Sequence, residues 1–352
     1  MKRNHIIIVL SVVLCGILGA CEDVMLKDVW KDREVGQKTD TIARIDKYML
    51  DSAIIRTSAD LPDNKAFSSV NIYLDGKDLY VANFGGKCVD RFDATTMEYK
   101  RSYSKDARTL ARDIYVEGGH LFVAAGDSRE VQIFDKNTGD YLTRLGTGVW
   151  TGNVSYAGNV AATGRFIFVR DSKATNIRVF DREQISLTAA NNNSPYASVG
   201  IESHFIDQQL DSYDMEVIGD SLYVFLYRPT PGLIYAYSIA DIEEKKNAAP
   251  FAKTELGSGN KIYSIAYNKE SDDLHVSMQK EGLRAIEKIT LADFLNRDFS
   301  KPAYSFSSAR YPSFPQTPMI AFLDGKLFFP AGSRLEQWTI VNLPSYIIKP
   351  VE

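Results

Sequence analysis

One pattern governs what this chain can fold into: a strand–turn–strand unit that returns six times. Val70-Asn71-Ile72-Tyr73-Leu74-Asp75-Gly76-Lys77-Asp78-Leu79-Tyr80-Val81-Ala82-Asn83 aligns without a gap on Arg112-Asp113-Ile114-Tyr115-Val116-Glu117-Gly118-Gly119-His120-Leu121-Phe122-Val123-Ala124-Ala125. Each is a run of strand formers, a tight acidic-Gly turn and a second run, which is a hairpin signature. The second run recurs as Ile167-Phe168-Val169, Leu222-Tyr223-Val224, Leu274-His275-Val276 and Leu327-Phe328-Phe329, at intervals from Leu79 of 42, 46, 55, 52 and 53 residues. A third run follows in every copy: Val89/Phe92/Asp93, Val131/Phe134/Asp135, Ile177/Phe180/Asp181, Ile234/Tyr237/Ser238, Ile286/Ile289/Thr290 and Leu335/Trp338/Thr339. Each ends on a short polar residue that bonds local backbone and opens a turn. A weaker fourth run fits Tyr99–Ser104, Tyr141–Leu145, Tyr196–Val199, Phe251–Leu256, Ala303–Ser307 and Tyr346–Ile348.

Four strands per unit at this spacing predict an all-β chain: a six-bladed β-propeller of four-stranded antiparallel blades over residues 61–352, preceded by a short N-terminal tether. One blade cannot bury both faces of its sheet, but six arranged radially can. The wording of the units, such as Leu79-Tyr80-Val81-Ala82-Asn83 and Val131-Gln132-Ile133-Phe134-Asp135, resembles NHL and YVTN-type propeller repeats. The resemblance covers about residues 68–343, close in the first three units and loose in the last three. It implies a fold and no single activity, since such propellers include binding modules, lyases and lactonases.

The N-terminus carries an address. Lys2 and Arg3 precede an apolar run, Ile6 through Leu18, too short for a membrane span of about 20 residues and suited to a signal peptide. It closes in Leu18-Gly19-Ala20-Cys21, which resembles the lipobox of bacterial lipoproteins. The resemblance implies cleavage of residues 1–20 and lipid attachment at Cys21, hence palmitate-type acylation, a membrane partner through the anchor and residence in the cell envelope. The outer membrane is the expected site. Glu22 and Asp23 after the cysteine resemble a surface-export signal, so surface exposure is a further expectation. In residues 21–60, the stretch with Lys27, Asp28, Lys31, Asp32, Arg33 and Glu34 reads as a solvated tether. Ile42, Ile45, Tyr48 and Met49 then suit either a short helix or a strand that closes the last blade.

The 41 basic and 45 acidic residues give a net charge of −4 and no basic footprint for nucleic acid. Past Cys21, only Cys88 remains as a thiol, so no disulfide framework exists. CxxC, HExxH and Gly-x-Ser-x-Gly are absent. His120, His204 and His275 sit at unequal phases of the repeat, which opposes a shared metal site.

The repeat register places candidate site residues. The first strand of each blade lines the axis, and its opening column reads Asn71, Asp113, Asn159, Asp214 and Ser264, with an apolar residue in the sixth blade. The same residue types also serve to bond backbone and stitch blades. A second ring, at the end of the second strand, takes in Asn83, Asp127, Arg170, Asp171, Arg228 and Lys280, and is expected to be freer to bind because loops carry function. Such a rim suits Ca²⁺ or a polyhydroxylated ligand, with no other cofactor expected. Trp150, between Gly148 and Gly152, suits either packing beneath its own loop or stacking on a sugar. The expected function is a non-catalytic binding or scaffold module for a glycan, peptide or envelope protein. A calcium-assisted lactonase or lyase acting from the axial ring is the alternative.

Overall fold

The computed structural model describes residues 48–106, 109–146, 154–171, 176–192, 194–200, 212–226, 232–245, 248–256, 260–268, 273–280, 282–296, 298–299, 302–307 and 319–342. The chain divides into two units, Asp51–Thr339 and the chain ends Met1–Leu50 with Ile340–Glu352. Of the second, only Tyr48–Leu50 and Ile340–Asn342 are described, as ends of strands.

Asp51–Thr339 is the six-bladed propeller that the repeats predict. Its six sheets each have four antiparallel strands, and the inner strands are Ser69–Asp75, Asp113–Glu117, Ala157–Ala162, Ser212–Ile218, Lys261–Asn268 and Ala321–Leu323. In the first five blades the strands run inner to outer in chain order. The sixth borrows its outermost strand from the front of the sequence, Tyr48–Thr57, which pairs with Arg334–Asn342. The end of the expected helix that is described, Tyr48–Ala53, is therefore strand. Tyr346–Ile348 lies outside the described residues.

The cross-strand pairs show that the repeat register is physical. Leu79 faces Phe92, Leu121 faces Phe134, Ile167 faces Phe180, Leu222 faces Tyr237, Leu274 faces Ile289 and Leu327 faces Trp338. The aliphatic member is fully buried in all six blades. Burying such a side chain contributes about 1.5–3 kcal/mol, so these pairs form the backbone of the blade cores. Trp338 departs from its column. It is half-buried, and its indole N–H donates to Glu336 Oε2 at 2.8 Å. Neighbouring blades meet through aromatic contacts such as Tyr103 on Phe134, edge to face at 6.1 Å.

The short polar residues that end the third strands act as expected. Asp93 Oδ1 accepts from Thr95 N and Thr96 N, Asp135 Oδ1 from Asn137 N and Thr138 N, and Asp181 Oδ1 from Glu183 N. Ser238 and Thr290 accept from Asp241 N and Asp293 N, capping the helices Ile239–Lys245 and Leu291–Asn296. The hairpin turn of the sixth blade needs positive φ at both central positions, and it has Asp324 at 48° and Gly325 at 73°.

Candidate functional site

The inner strand of a blade is bonded on one side only, so its outward N–H groups need other acceptors. The polar column at its start supplies them. Asn71 Oδ1 accepts from Ile72 N at 2.6 Å, Asp113 Oδ1 from Ile114 N at 2.9 Å and Asp214 Oδ1 from Met215 N at 2.9 Å. The same side chains reach across to the next blade. Asn71 Nδ2 donates to Asp113 Oδ1 at 2.5 Å, and Asp113 Oδ2 accepts from Val160 N at 2.9 Å and from the Asn159 side chain. Asp214 likewise takes hydrogen bonds from the Ser264 side chain and Ile265 N. The column thus stitches blades one to two to three, and four to five.

A local backbone feature aims these residues. The register slips by one between Ser69 and Asn71, Ala157 and Asn159, Ser212 and Asp214, and Ile262 and Ser264. A bulge immediately before the polar residue turns its side chain out of the sheet plane toward the neighbouring blade. Hydrophobic patterning carries no signal for it.

Burial has an electrostatic consequence. Asp113 is pushed up to about 7 by loss of water, against the pull of its four hydrogen-bond donors. Asp214 is raised well above the usual carboxylate range by burial first, then by the charges of Asp113 and Glu216.

Two residues further along the same strands lies a column that the sequence reading passed over: Tyr73, Tyr115, Ala161, Glu216, Ala266 and Ala321. Three bulky groups stand against three alanines. The tyrosine rings tilt against each other with centroids 4.6 Å apart, and their hydroxyls are hydrogen-bonded. Tyr115 O–H donates to Glu216 Oε1 at 3.0 Å, a contact between blades two and four that the small Ala161 of blade three permits. Both tyrosines are held well above their ordinary pKa by burial and by the Glu216 charge, so they stay neutral. Ala266 and Ala321 leave space on the other side. A cavity of about 520 Å³ is lined by the inner strands of blades one, two, four, five and six. Asp113 and Asp214 lie toward the strand starts and Asp75, Lys77 and Asp324 at the hairpin turns.

The second ring is not a free rim. Asn83 is fully buried, accepts from Ser68 N and Gly86 N, and donates to Ala66 O and Asp90 Oδ2. Asp171 is fully buried and accepts from Ser155 N at 2.6 Å and Tyr156 N at 3.0 Å. Arg170 is 1% exposed. Asn83 and Asp171 fold inward because the loops before the inner strands need acceptors for their own N–H groups. Among the described members of the ring, Asp127 alone fits the expectation of an open rim: it is exposed and pairs with Arg112 at 3.3 Å. Lys280 pairs with the buried Glu287 at 3.3 Å. Cys21, Trp150, Arg228 and His204 lie outside the described residues. His275 is buried, hydrogen-bonded to Tyr304 and stacked on Phe322 at 3.8 Å. Among the described residues no three His, Cys, Asp or Glu side chains come together as a metal site.

No family model matches the chain, and no curated protein matches it. Among solved structures, hydrazine synthase of Kuenenia stuttgartiensis is similar at 14% identity and a TM-score of 0.47, over 64% of this chain and 64% of that one. The Cps50 (Swd1) β-propeller domain of Myceliophteria thermophila is similar at 11% identity and a TM-score of 0.48, over 81% of this chain and 99% of the domain. Neither likeness extends to function. The fold rests on the strand order and register of this chain.

Proposed function

We propose that this chain is a non-catalytic binding module built from NHL-type repeats, carried on a lipid anchor at Cys21 in the cell envelope. Its ligand is a small molecule, or the end of a glycan or peptide, taken into the axial cavity. The observation that carries the reading is the uneven column of Tyr73, Tyr115 and Glu216 against Ala266 and Ala321. A channel that served only as a structural axis has no need of a polar, aromatic wall facing an open one. The cavity volume falls in the usual range for small-ligand pockets, about 300–1,000 Å³. The polar column at the strand starts is fully engaged between blades, and that supports a rigid, pre-formed wall rather than a reactive ring.

The test is a thermal-shift screen of soluble glycans, peptides and metabolites on the full chain and on Ala266→Phe, which places a ring in the cavity without removing a polar group. Ligands that stabilise the parent and fail to stabilise Ala266→Phe support the site; hits that stabilise both equally refute it. Cys21→Ser, followed in parallel, is expected to leave the membrane fraction and keep the same hits. Its retention in membranes after a high-salt wash would remove the anchor from the reading.

A further inference from the structure

Blade three grips blade two through an arginine that faces a histidine. Arg182 directly follows the third strand of blade three, Asn176–Asp181, and reaches back to the hairpin turn of blade two, which runs from Glu117 to His120. Its Nη1 donates to Thr163 O at 2.8 Å and its Nη2 to Glu117 O at 3.5 Å. The guanidinium lies over the Phe122 ring, 5.5 Å from the centroid, and Nη2 stands 3.1 Å from His120 Nδ1. The turn brings little of its own to this joint, because its two central residues are Gly118 and Gly119, both at positive φ. Lys136 N donates to Gly119 O at 3.0 Å from within the blade, and Arg182 holds the turn from the neighbouring one.

A guanidinium carries only donors, so His120 serves it only with Nδ1 bare, which requires the neutral ring. Protonation puts an N–H and a positive charge where the acceptor was. The charged groups acting on the ring are Arg182 and Asp135, its cross-strand partner, and Glu117 acts in turn on Arg182. Burial first and then the Arg182 charge oppose the proton, while the Gly118 backbone and Asp135 favour it. The opposing pair prevails and holds His120 below its usual range. Blade one meets the same need differently. Its residue at the His120 register is Asp78, which pairs with Arg91 at 2.6 Å. A carboxylate keeps that role at any pH above about 4, whereas an imidazole loses it on crossing its own range, near about 6.5.

We propose that the His120–Arg182 contact is a pH-sensitive latch: neutral His120 holds the arginine of blade three on the turn of blade two, and protonation turns the ring toward Asp135 and frees that turn. Val116 and Glu117 line the axial cavity, so the latch acts on its rim. It stands on this joint alone, whatever the cavity binds. A histidine lowered in the folded state contributes stability that is complete above its unfolded value, about 6.5, and is lost as pH falls through its folded value. The effect is a local opening of one turn, opposite in sense to that of a raised aspartate such as Asp113.

Hydrogen exchange of the detergent-solubilised full chain, corrected for intrinsic rates, tests the latch between pH 7.5 and 5.0. Protection of the amides from Glu117 to Leu121 is expected to fall about threefold or more. The blade-six turn at Asp324 and Gly325 is the internal control and should not fall with it. His120→Asn supplies an amide oxygen that accepts from Arg182 at every pH, so its turn should stay level to within about twofold. Arg182→Gln should lose protection already at pH 7.5 and lose no more in acid. A level profile in the parent overturns the proposal, as does an equal fall at the control turn, or a fall in either variant as steep as the parent's. The two turns of the parent are compared within one chain, so that arm needs no variant to fold.

Discussion

Asp90 and Asp113 are both buried aspartates, yet the molecule holds them in opposite ways. Asp90, in the third strand of blade one, sits 2.6 Å from the Lys65 ammonium and also accepts from Ser102 Oγ and Asn83 Nδ2. Asp113, at the start of the inner strand of blade two, is held by Asn71, Asn159, Ile114 N and Val160 N, all of them neutral. Burial alone does not decide the state of a carboxylate. Near Asp90, burial pulls the Lys65 ammonium down, but the hydrogen bond and charge of Asp90 outweigh it and leave Lys65 above its usual range. Near Asp113 the described donors are neutral, and loss of water pushes the acid up to about 7. One aspartate belongs to an ion pair that locks a loop. The other is held in the axial wall by neutral donors.

The strongest way to break this contrast is to remove the cation from the first region. Lys65→Met keeps much of the side-chain stem and strands the Asp90 charge, so it should lower stability by about 3 kcal/mol at pH 7. Chemical denaturation reads this directly. A loss under about 1 kcal/mol would mean that neutral donors suffice for Asp90 as they do for Asp113, and the contrast would vanish.

Acid sharpens it from the other side. An aspartate raised in the folded state contributes stability that is complete below its unfolded value, about 4, and is lost as pH rises through its folded value of about 7. The melting temperature should therefore rise when pH falls from 7.5 to 5.5, and Asp214 acts in the same direction. Asp93 and Asp135, whose local backbone bonds hold them below the usual range, titrate beneath this window. Asp113→Asn should flatten the slope. It should also cost about 1–3 kcal/mol at pH 5.5, because its amide NH₂ faces either Val160 N or the Asn71 and Ile114 donors. Melting curves at the two pH values test both parts, and equal slopes in parent and variant would refute the account. The smallest expected effect is at Ser102→Ala, about 1 kcal/mol, since Asp90 keeps Lys65 and Asn83. A loss as large as that of Lys65→Met would show that the hydroxyl, and not the ammonium, secures the pair.

The blade register was legible because each unit repeats one burial problem. An aliphatic residue in the second strand must meet a bulky one in the third, and Leu79 with Phe92 or Leu222 with Tyr237 states this in every copy. The axial column was legible for the same reason, as homologous positions converge in a ring. The second ring was misread because its position beside loops says nothing of direction. Asn83 and Asp171 turn inward to serve backbone N–H groups that become orphans only in three dimensions. Tyr73, Tyr115 and Glu216 escaped because the difference between bulky and alanine members has meaning only once blades two and four are brought together over Ala161. The closing strand was ambiguous because Ile42, Ile45, Tyr48 and Met49 satisfy a helical spacing, whereas Tyr48–Thr57 is fixed by its partner near the other end of the sequence.

That borrowed strand sets a timetable. Tyr48–Thr57 is translated well before the strand it pairs with, Arg334–Asn342. At about 5–20 residues per second, the early segment waits on the order of 15–60 s with its pairing edge unmet. Ile54 and Ile55 on it remain 40% and 43% exposed even in the finished blade. During synthesis its edge is open to pairing with a wrong neighbour, and its docking ties completion of the sixth blade to synthesis of Arg334–Asn342. A ribosome that stalls before Arg334 leaves the sixth blade without the strand that Tyr48–Thr57 pairs with.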